Sequence, residues 1–546
     1  TFASLQAQRR RVIFVGANDG FLHGFDAGVW NRDSGFPNTF DLGTGREIFA
    51  YAPSGLMLNK FPNLLNFPPA VQYFVDGSTG SADVFIDTIQ SGGTVSPSNR
   101  TWKTVLVGGL RQGGKSYHAL DVTQPDKVDA TGQKTAALDS APDCLEGTGG
   151  CPAKYPTVLW ELTDNCSLQP VTCVANPPTM GETWSRPVVG RIQVLNAGTP
   201  EDRYVAIFGG GNDPGFTTGA PVNPATDTVG RAIYVVNVET GRILYKVTQG
   251  VDDAATSWDF APMPASPAVA DYNDDGYLDV VYMGDVNGRM WKLDITPDSA
   301  SSRGACSSCG SATETLTGYQ PFLLYDASQT CTQCNEPIFL QAGIIFVAGG
   351  APPTLGVAFG TGDRSNLLLV PNPSVQRFLY VVDSGAGKTY HEDNLRNITP
   401  TGGVTPQGVG PGPYTADCAT LPCSGFYLDF ATQNEKSVTS VLSTQGFLTL
   451  LTFTPDSTSS CGTTGSSYQY RFFFITGQGG YNIGTPSGDY SDYRQSRGSG
   501  MAQMGESMSS SGDIHEIVLG SGGNLTQTTY PATQKTTTTN WKEVNQ

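Results

Sequence analysis

Charge is scarce in this chain. Only 15% of its 546 residues are Asp, Glu, Lys or Arg, and the positive sign is scarcer, 32 Lys and Arg against 49 Asp and Glu. A net charge of −17 argues against a nucleic-acid partner, which requires a basic surface to displace counterions from phosphate. Histidine is nearly missing, with four scattered copies at His23, His118, His391 and His515. There is no His-Glu-x-x-His helix and no Gly-x-Ser-x-Gly elbow, and no phosphate-cradling loop is expected. No catalytic set can be named. Long apolar runs are also lacking, so no transmembrane segment is expected in the chain, and residues 1–11 lack the apolar centre of a signal peptide.

What the chain has in abundance is punctuation, with 66 Gly and 36 Pro, together with 10% aromatic residues. Helix-period stretches are few and short, so the composition fits a turn-rich all-β protein. At 546 residues the chain exceeds the roughly 250–300 at which one core stops growing, which calls for several domains or a repeat architecture.

A unit of strand, Gly-rich turn, strand and a closing Leu-Asp or Val-Asn recurs. It runs through Arg11 to Ala27, Lys103 to Val122, Tyr204 to Val238, Val280 to Asp294 and Gly356 to Asp383. In the fourth copy Asn287-Gly288 sits between two apolar runs, a strong hairpin signal because both positions tolerate positive φ. Repeated antiparallel meanders at uneven intervals predict an all-β fold, a β-propeller of about seven blades. Less regular segments near Phe426 to Phe430, Gly446 to Phe453 and Tyr468 to Gly477 would complete it, and Ile514 to Leu519 reads as a strand that closes the ring. A pair of β-sandwiches is the competing architecture, but it leaves the cadence unexplained. The expected organisation is a single propeller domain over 1–546, the C-terminal part of a longer exported protein, with insertions near 123–183, 211–229, 296–336 and 384–424.

Those insertions hold all but one of the 11 cysteines. Cys144 with Cys151, Cys166 with Cys173, and Cys418 with Cys423 read as disulfide staples that pin long loops in an oxidising compartment. Cys306, Cys309, Cys331 and Cys334 have zinc-ribbon spacing, with disulfides as the reading preferred in an exported protein and zinc as the alternative. Cys461 is left over.

The sharpest chemical signal is Asp271-Tyr272-Asn273-Asp274-Asp275-Gly276-Tyr277-Leu278-Asp279. Ca2+ takes six to eight oxygens, and Asp271, Asn273 and Asp275 at positions 1, 3 and 5 can aim three side-chain oxygens at one centre. Gly276 permits the sharp turn, the Tyr277 carbonyl is the backbone ligand and Asp279 supplies a carboxylate at position 9. Tyr282 stands where an EF-hand carries its bidentate Glu, and the loop runs straight into a strand. A clip that fastens a sheet is expected, not a helix pair that opens. An Asx-rich turn without metal is the plain alternative.

Asp41-Leu42-Gly43-Thr44-Gly45-Arg46 and Asn237-Val238-Glu239-Thr240-Gly241-Arg242 are similar to the blade turn of quinoprotein dehydrogenases, which bind pyrroloquinoline quinone with calcium. A quinone-dependent oxidoreductase is therefore the alternative function. The motif here is degenerate and no two cysteines are adjacent, whereas many of those alcohol dehydrogenases carry a vicinal disulfide.

Val15-Gly16-Ala17-Asn18-Asp19-Gly20-Phe21-Leu22-His23-Gly24-Phe25-Asp26, Arg46 to Pro53, Gly113 to Val122, Trp184-Ser185-Arg186-Pro187 and the calcium loop, taken in this order, resemble the C-terminal propeller of the PilY/PilC family of type IV pilus biogenesis factors. The resemblance implies an exported bacterial protein at the pilus tip or cell surface, outer-membrane-associated or periplasmic in a Gram-negative cell. It implies minor pilins of the tip complex as partners, and a host-cell surface through the family's adhesive role. It further implies promotion of pilus extension, calcium-dependent opposition to retraction, and twitching motility. The family's calcium ligands fall on Asp271, Asn273, Asp275, Asp279 and the Tyr277 carbonyl. No enzyme activity is expected, and the absence of Arg-Gly-Asp leaves an integrin-ligand role unsupported.

Overall fold

In the computed structural model of the chain, the recurring Asp or Asn that closes each meander performs one repeated task. Its side-chain oxygen accepts the backbone N–H two residues on, an Asx turn that stops the strand. Asp26 does so for Gly28 (3.3 Å), Asp121 for Thr123 (2.9 Å), Asn237 for Glu239 (2.8 Å), Asp294 for Thr296 (3.1 Å) and Asp383 for Gly385 (2.8 Å). The structure describes residues 2–31, 39–62, 72–87, 96–126, 155–163, 172–175, 180–215, 229–248, 259–296, 304–307, 314–327, 336–348, 353–368, 374–400 except 386, 424–456 except 445, 465–508 except 484 and 486, 514–519 and 525–530.

Among the described residues, seven sheets of three or more strands follow one another along the chain. The first blade pairs Arg11–Gly16, Leu22–Gly28 and Glu47–Tyr51. The second runs Thr79–Ile86, Thr101–Gly109, Tyr117–Asp121 and Thr157–Thr163, with Thr172–Ala175 added in parallel. The third runs Val188–Asn196, Thr199–Gly209, Ala232–Asn237 and Ile243–Thr248, and its first strand also pairs with Gly304–Ser307. The fourth is Ala268–Ala270, Val280–Gly284, Arg289–Asp294 and Pro321–Asp326. The fifth is Gly343–Ala348, Thr354–Gly360, Arg377–Asp383 and Gly425–Asp429. The sixth is built on Phe447–Pro455, Gly465–Phe473 and Arg494–Ser499, and the seventh on Gln503–Met508, Ile514–Leu519 and Leu525–Tyr530. The leading strands touch in succession, Thr79–Ile86 against Val188–Asn196, and Ala268–Ala270 against Gly343–Ala348. This is the seven-bladed β-propeller that the cadence predicts.

The core lies between blades. In Val280–Gly284 alternate side chains go to opposite neighbours: Val281 and Met283 pack with Ile192, Val205 and Ile207 of the third blade, whereas Val280 and Tyr282 pack with Val357 and Leu379 of the fifth. A strand buried on both faces reads as a continuous apolar run, as this one does. Polar links also join neighbouring blades. Lys292 and the Tyr282 hydroxyl both reach Asp383 at 2.7 Å, and Arg100 holds Glu239 at 2.9 and 2.8 Å.

The two Thr-Gly turns also have structural work to do. The Thr44 hydroxyl donates to Asp26 at 2.7 Å. Gly241, at φ +70°, lies so close to Trp160 of the second blade that a Cβ would stand 2.6 Å from the ring. The Trp160 indole N–H donates to the Val238 carbonyl at 2.7 Å.

Three expectations change. Segments 123–183, 296–336 and 384–424 are not wholly insertions, because they contain the outer strands Thr157–Thr163 and Pro321–Asp326 and the short strand Arg396–Asn397. The Phe426 to Phe430 segment falls in the fourth strand of the fifth blade, with Arg396–Asn397 paired in parallel beyond it. Ile514–Leu519 is the middle strand of its own sheet. Of the insertion at 211–229, residues 216–228 lie outside the described residues.

Candidate calcium loop

The nine-residue loop joins Ala268–Ala270, the leading strand of the fourth blade, to Val280–Gly284. Its ends are fixed by backbone bonds, Asp279 N to the Ala270 carbonyl at 2.9 Å and Leu278 N to the Arg191 carbonyl at 2.8 Å. Between them the chain reverses through Asp274 at φ +60° and Gly276 at φ +82°. Gly276 also faces Arg191, whose Nη2 would lie 2.6 Å from an added Cβ.

The predicted ligands are close in the chain and organised by their own backbone. Asp271 accepts from Gly276 N at 2.7 Å and Asp275 N at 3.2 Å. Asn273 Oδ1 accepts from Asp275 N at 3.1 Å, and its amide donates to Asp275 Oδ2 at 3.1 Å. Asp275 Oδ1 accepts from Tyr277 N at 2.9 Å, and Asp279 Oδ2 accepts from Tyr272 N at 2.8 Å. Among the described residues, no three His, Cys, Asp or Glu side chains gather as a metal-holding group. The loop is thus an Asx-bonded turn whose side chains need a local adjustment to enclose an ion. A carboxylate has about four lone-pair sites, so one that accepts an N–H retains capacity for a cation.

Asp279 is the informative member. Its side chain is fully buried, yet Oδ1 has no hydrogen-bond partner. Burial pushes its pKa up to about 6, against the pull of the Tyr272 N–H and the Thr296 side chain, and the nearby Asp271 and Asp275 charges add to the rise. Burial also raises Asp271, partly offset by the Gly276 N–H and reinforced by the charge of Asp275. Hard oxygen donors, an orphaned buried carboxylate oxygen and uncompensated negative charge fit a divalent hard cation.

Two supporting residues come from the third blade and escape sequence reading. Arg191 donates to the carbonyls of Gly276 (3.2 Å) and Asp275 (3.3 Å), and its guanidinium stacks 4.1 Å over the Tyr277 ring. Asp202 accepts from the Tyr277 hydroxyl at 2.8 Å and lies 3.7 Å from Arg191. Their separation from the loop by 75 to 85 positions leaves no local signal.

Elsewhere, His23 lies in the second strand of the first blade and His118 in the third strand of the second. His118 is buried, which pushes its pKa down to about 4 against the opposing pull of Glu161. Gly109 to Ser116 has the spacing Gly-x4-Gly-Lys-Ser that sequence reading passed over. Here it is a hairpin turn from Thr101–Gly109 into Tyr117–Asp121, so the helix N-terminus that cradles phosphate in a P-loop is missing from it. Cys306 is disulfide-bonded, which removes it from a zinc tetrad. The side chains of the other ten cysteines lie outside the described residues.

Residues 1–148 match the family model of the PilY1 beta-propeller domain. Over 94% of its length, the C-terminal domain of Pseudomonas aeruginosa PilY1 in its crystal structure superposes on 96% of this chain, with a TM-score of 0.57 and 22% identity. The chain resembles the PilY1 β-propellers, in sequence over residues 1–148 and in overall fold. Among curated relatives, a type IV pilus biogenesis factor PilY1 homolog of Xylella fastidiosa is 30% identical over 291 residues, 52% of this chain and 14% of that protein. Type IV pilus biogenesis factor PilY1 of Pseudomonas aeruginosa strain PAO1 is 28% identical over 301 residues, 54% of this chain and 18% of that protein. The matched stretch thus spans less than a fifth of either relative.

Proposed function

We propose that this PilY1-type propeller is a calcium-binding module of a type IV pilus biogenesis factor, acting at the pilus tip or cell surface with minor pilins. In this reading it promotes extension, opposes retraction when calcium is bound, and supports twitching motility and surface adhesion. The names of the relatives support the pilus assignment, and the partnerless buried Oδ1 of Asp279 supports the ion. Asp271, Asn273, Asp275 and Asp279, with the Tyr277 carbonyl, would hold it. The cation supplies positive charge that relieves repulsion among three carboxylates in one turn. Arg191 and Asp202 carry the loop's position to the third blade, so one loop geometry favours one arrangement of the interface between the third and fourth blades. A cation shifts such an equilibrium only by its difference in affinity for the two states.

The module is proposed as non-enzymatic. The turns that resemble quinoprotein motifs are used in Asp26 and Trp160 packing, and a purified sample given pyrroloquinoline quinone, calcium and an alcohol is expected to reduce no dye.

The test is Asp275→Ala. Calorimetry should show wild-type affinity in the roughly micromolar to millimolar range of sensor and extracellular sites and no calcium heat in the variant. Unchanged affinity would remove the site assignment. A variant that binds no calcium yet supports normal twitching would leave the site intact and remove its regulatory role.

A further inference from the structure

A cavity of about 370 Å³ opens between the second and third blades, within the roughly 300–1,000 Å³ typical of small-ligand sites. One side is aromatic, formed by Phe85, Trp102 and Tyr204. The Trp102 ring lies 5.6 Å from Phe85 and 6.1 Å from Tyr204, centroid to centroid. Trp102 and Phe85 keep 45% and 39% of their surface exposed, and Phe2 stacks on Trp102 at 6.2 Å, which holds the indole plane.

The charged groups of the cavity are already matched. Arg100 makes two bonds to Glu239, Arg203 holds Glu314 at 2.7 Å and Glu201 at 2.9 Å, and Arg191 faces Asp202. A phosphate or carboxylate ligand would find no uncompensated cation here, and a cationic one no free anion. What remains is a set of guanidinium donors beside carboxylate acceptors, next to flat apolar rings. A pyranose has the complementary pattern: its C–H face is apolar, and its vicinal hydroxyls both donate and accept.

We propose that this cleft binds a neutral saccharide, its C–H face on Trp102 and Phe85 and its hydroxyls shared between the Arg100–Glu239 and Arg191–Asp202 pairs. The inference does not depend on the calcium reading, and titrations in calcium-saturated buffer and in chelator keep the two separate. Saturation-transfer NMR and calorimetry would use glucose, galactose, mannose, N-acetylglucosamine and their common disaccharides as probes. At least one should bind saturably. Trp102→Ala should weaken it at least about tenfold, about 1.4 kcal/mol, while Trp102→Phe retains most of the affinity and both variants melt with wild type. Phe85→Ala serves as the second variant if Trp102→Ala fails to fold. The proposal is overturned if no probe binds at about 10 mM, well beyond a 1 mM complex. Binding unchanged by the ring variants also overturns it, as does Trp102-dependent binding of a Trp-Gly-Trp peptide with no response to sugars.

Discussion

Asp279 carries an electrostatic consequence of the fold that bears directly on the loop. Its folded pKa of about 6 stands above the ordinary unfolded carboxylate value of about 3.9, so the folded metal-free protein binds the proton more tightly than the unfolded chain does. The stabilising contribution is therefore complete below about pH 4 and is lost as pH rises through about 6. Melting in chelator across this window should show that decline, and Asp279→Asn should remove it. With calcium present, proton and cation compete for one carboxylate, and affinity should fall as pH drops below about 6. Arg191 is a positioning residue. Arg191→Ala loses two bonds to loop carbonyls and the stack on Tyr277, and should weaken calcium by about tenfold, the scale of one charged hydrogen bond, with an unchanged far-UV spectrum. At this scale the sequence was legible where ligands lie within nine positions and opaque where the brace comes from another blade.

At the scale of the element, the Asx turns make the cadence visible, because a strand that ends on Asp26, Asp121, Asn237, Asp294 or Asp383 needs the same residue type each time. The outer strands were harder to see. Thr157–Thr163 and Pro321–Asp326 come after long segments rich in Ser, Gly and Pro, so their apolar residues read as parts of insertions although they complete the second and fourth sheets. Arg11–Gly16 shows the opposite limit: its run of apolar residues predicts burial, but Ile13 and Val15 are 56% and 44% exposed. Apolar character alone does not say which face a neighbour covers. Gly241 gives a direct test of blade docking. Gly241→Ala places a methyl against the Trp160 ring and asks an L residue to hold φ +70°. Urea unfolding should show a loss of about 1–3 kcal/mol, with far-UV circular dichroism unchanged in the absence of urea.

For the whole molecule, the interfaces are sequential. Separate apolar clusters join first to second blade, second to third, and onward to sixth and seventh, so a local event at one interface has no single shared core through which to spread. Calcium binding should therefore protect amides in the loop and in the Val188–Asn196 and Thr199–Gly209 hairpin, and leave Phe447–Pro455 and Gly465–Phe473 unchanged. Hydrogen exchange with and without calcium checks this, and uniform protection of all blades would contradict it. The central claim is most directly tested by anomalous diffraction from crystals grown in calcium. The account predicts a peak about 2.3–2.6 Å from oxygens of Asp271, Asn273, Asp275 and Tyr277, with Asp279 turned to it. A map with no density there at saturating calcium, or with the ion bound elsewhere, would contradict it.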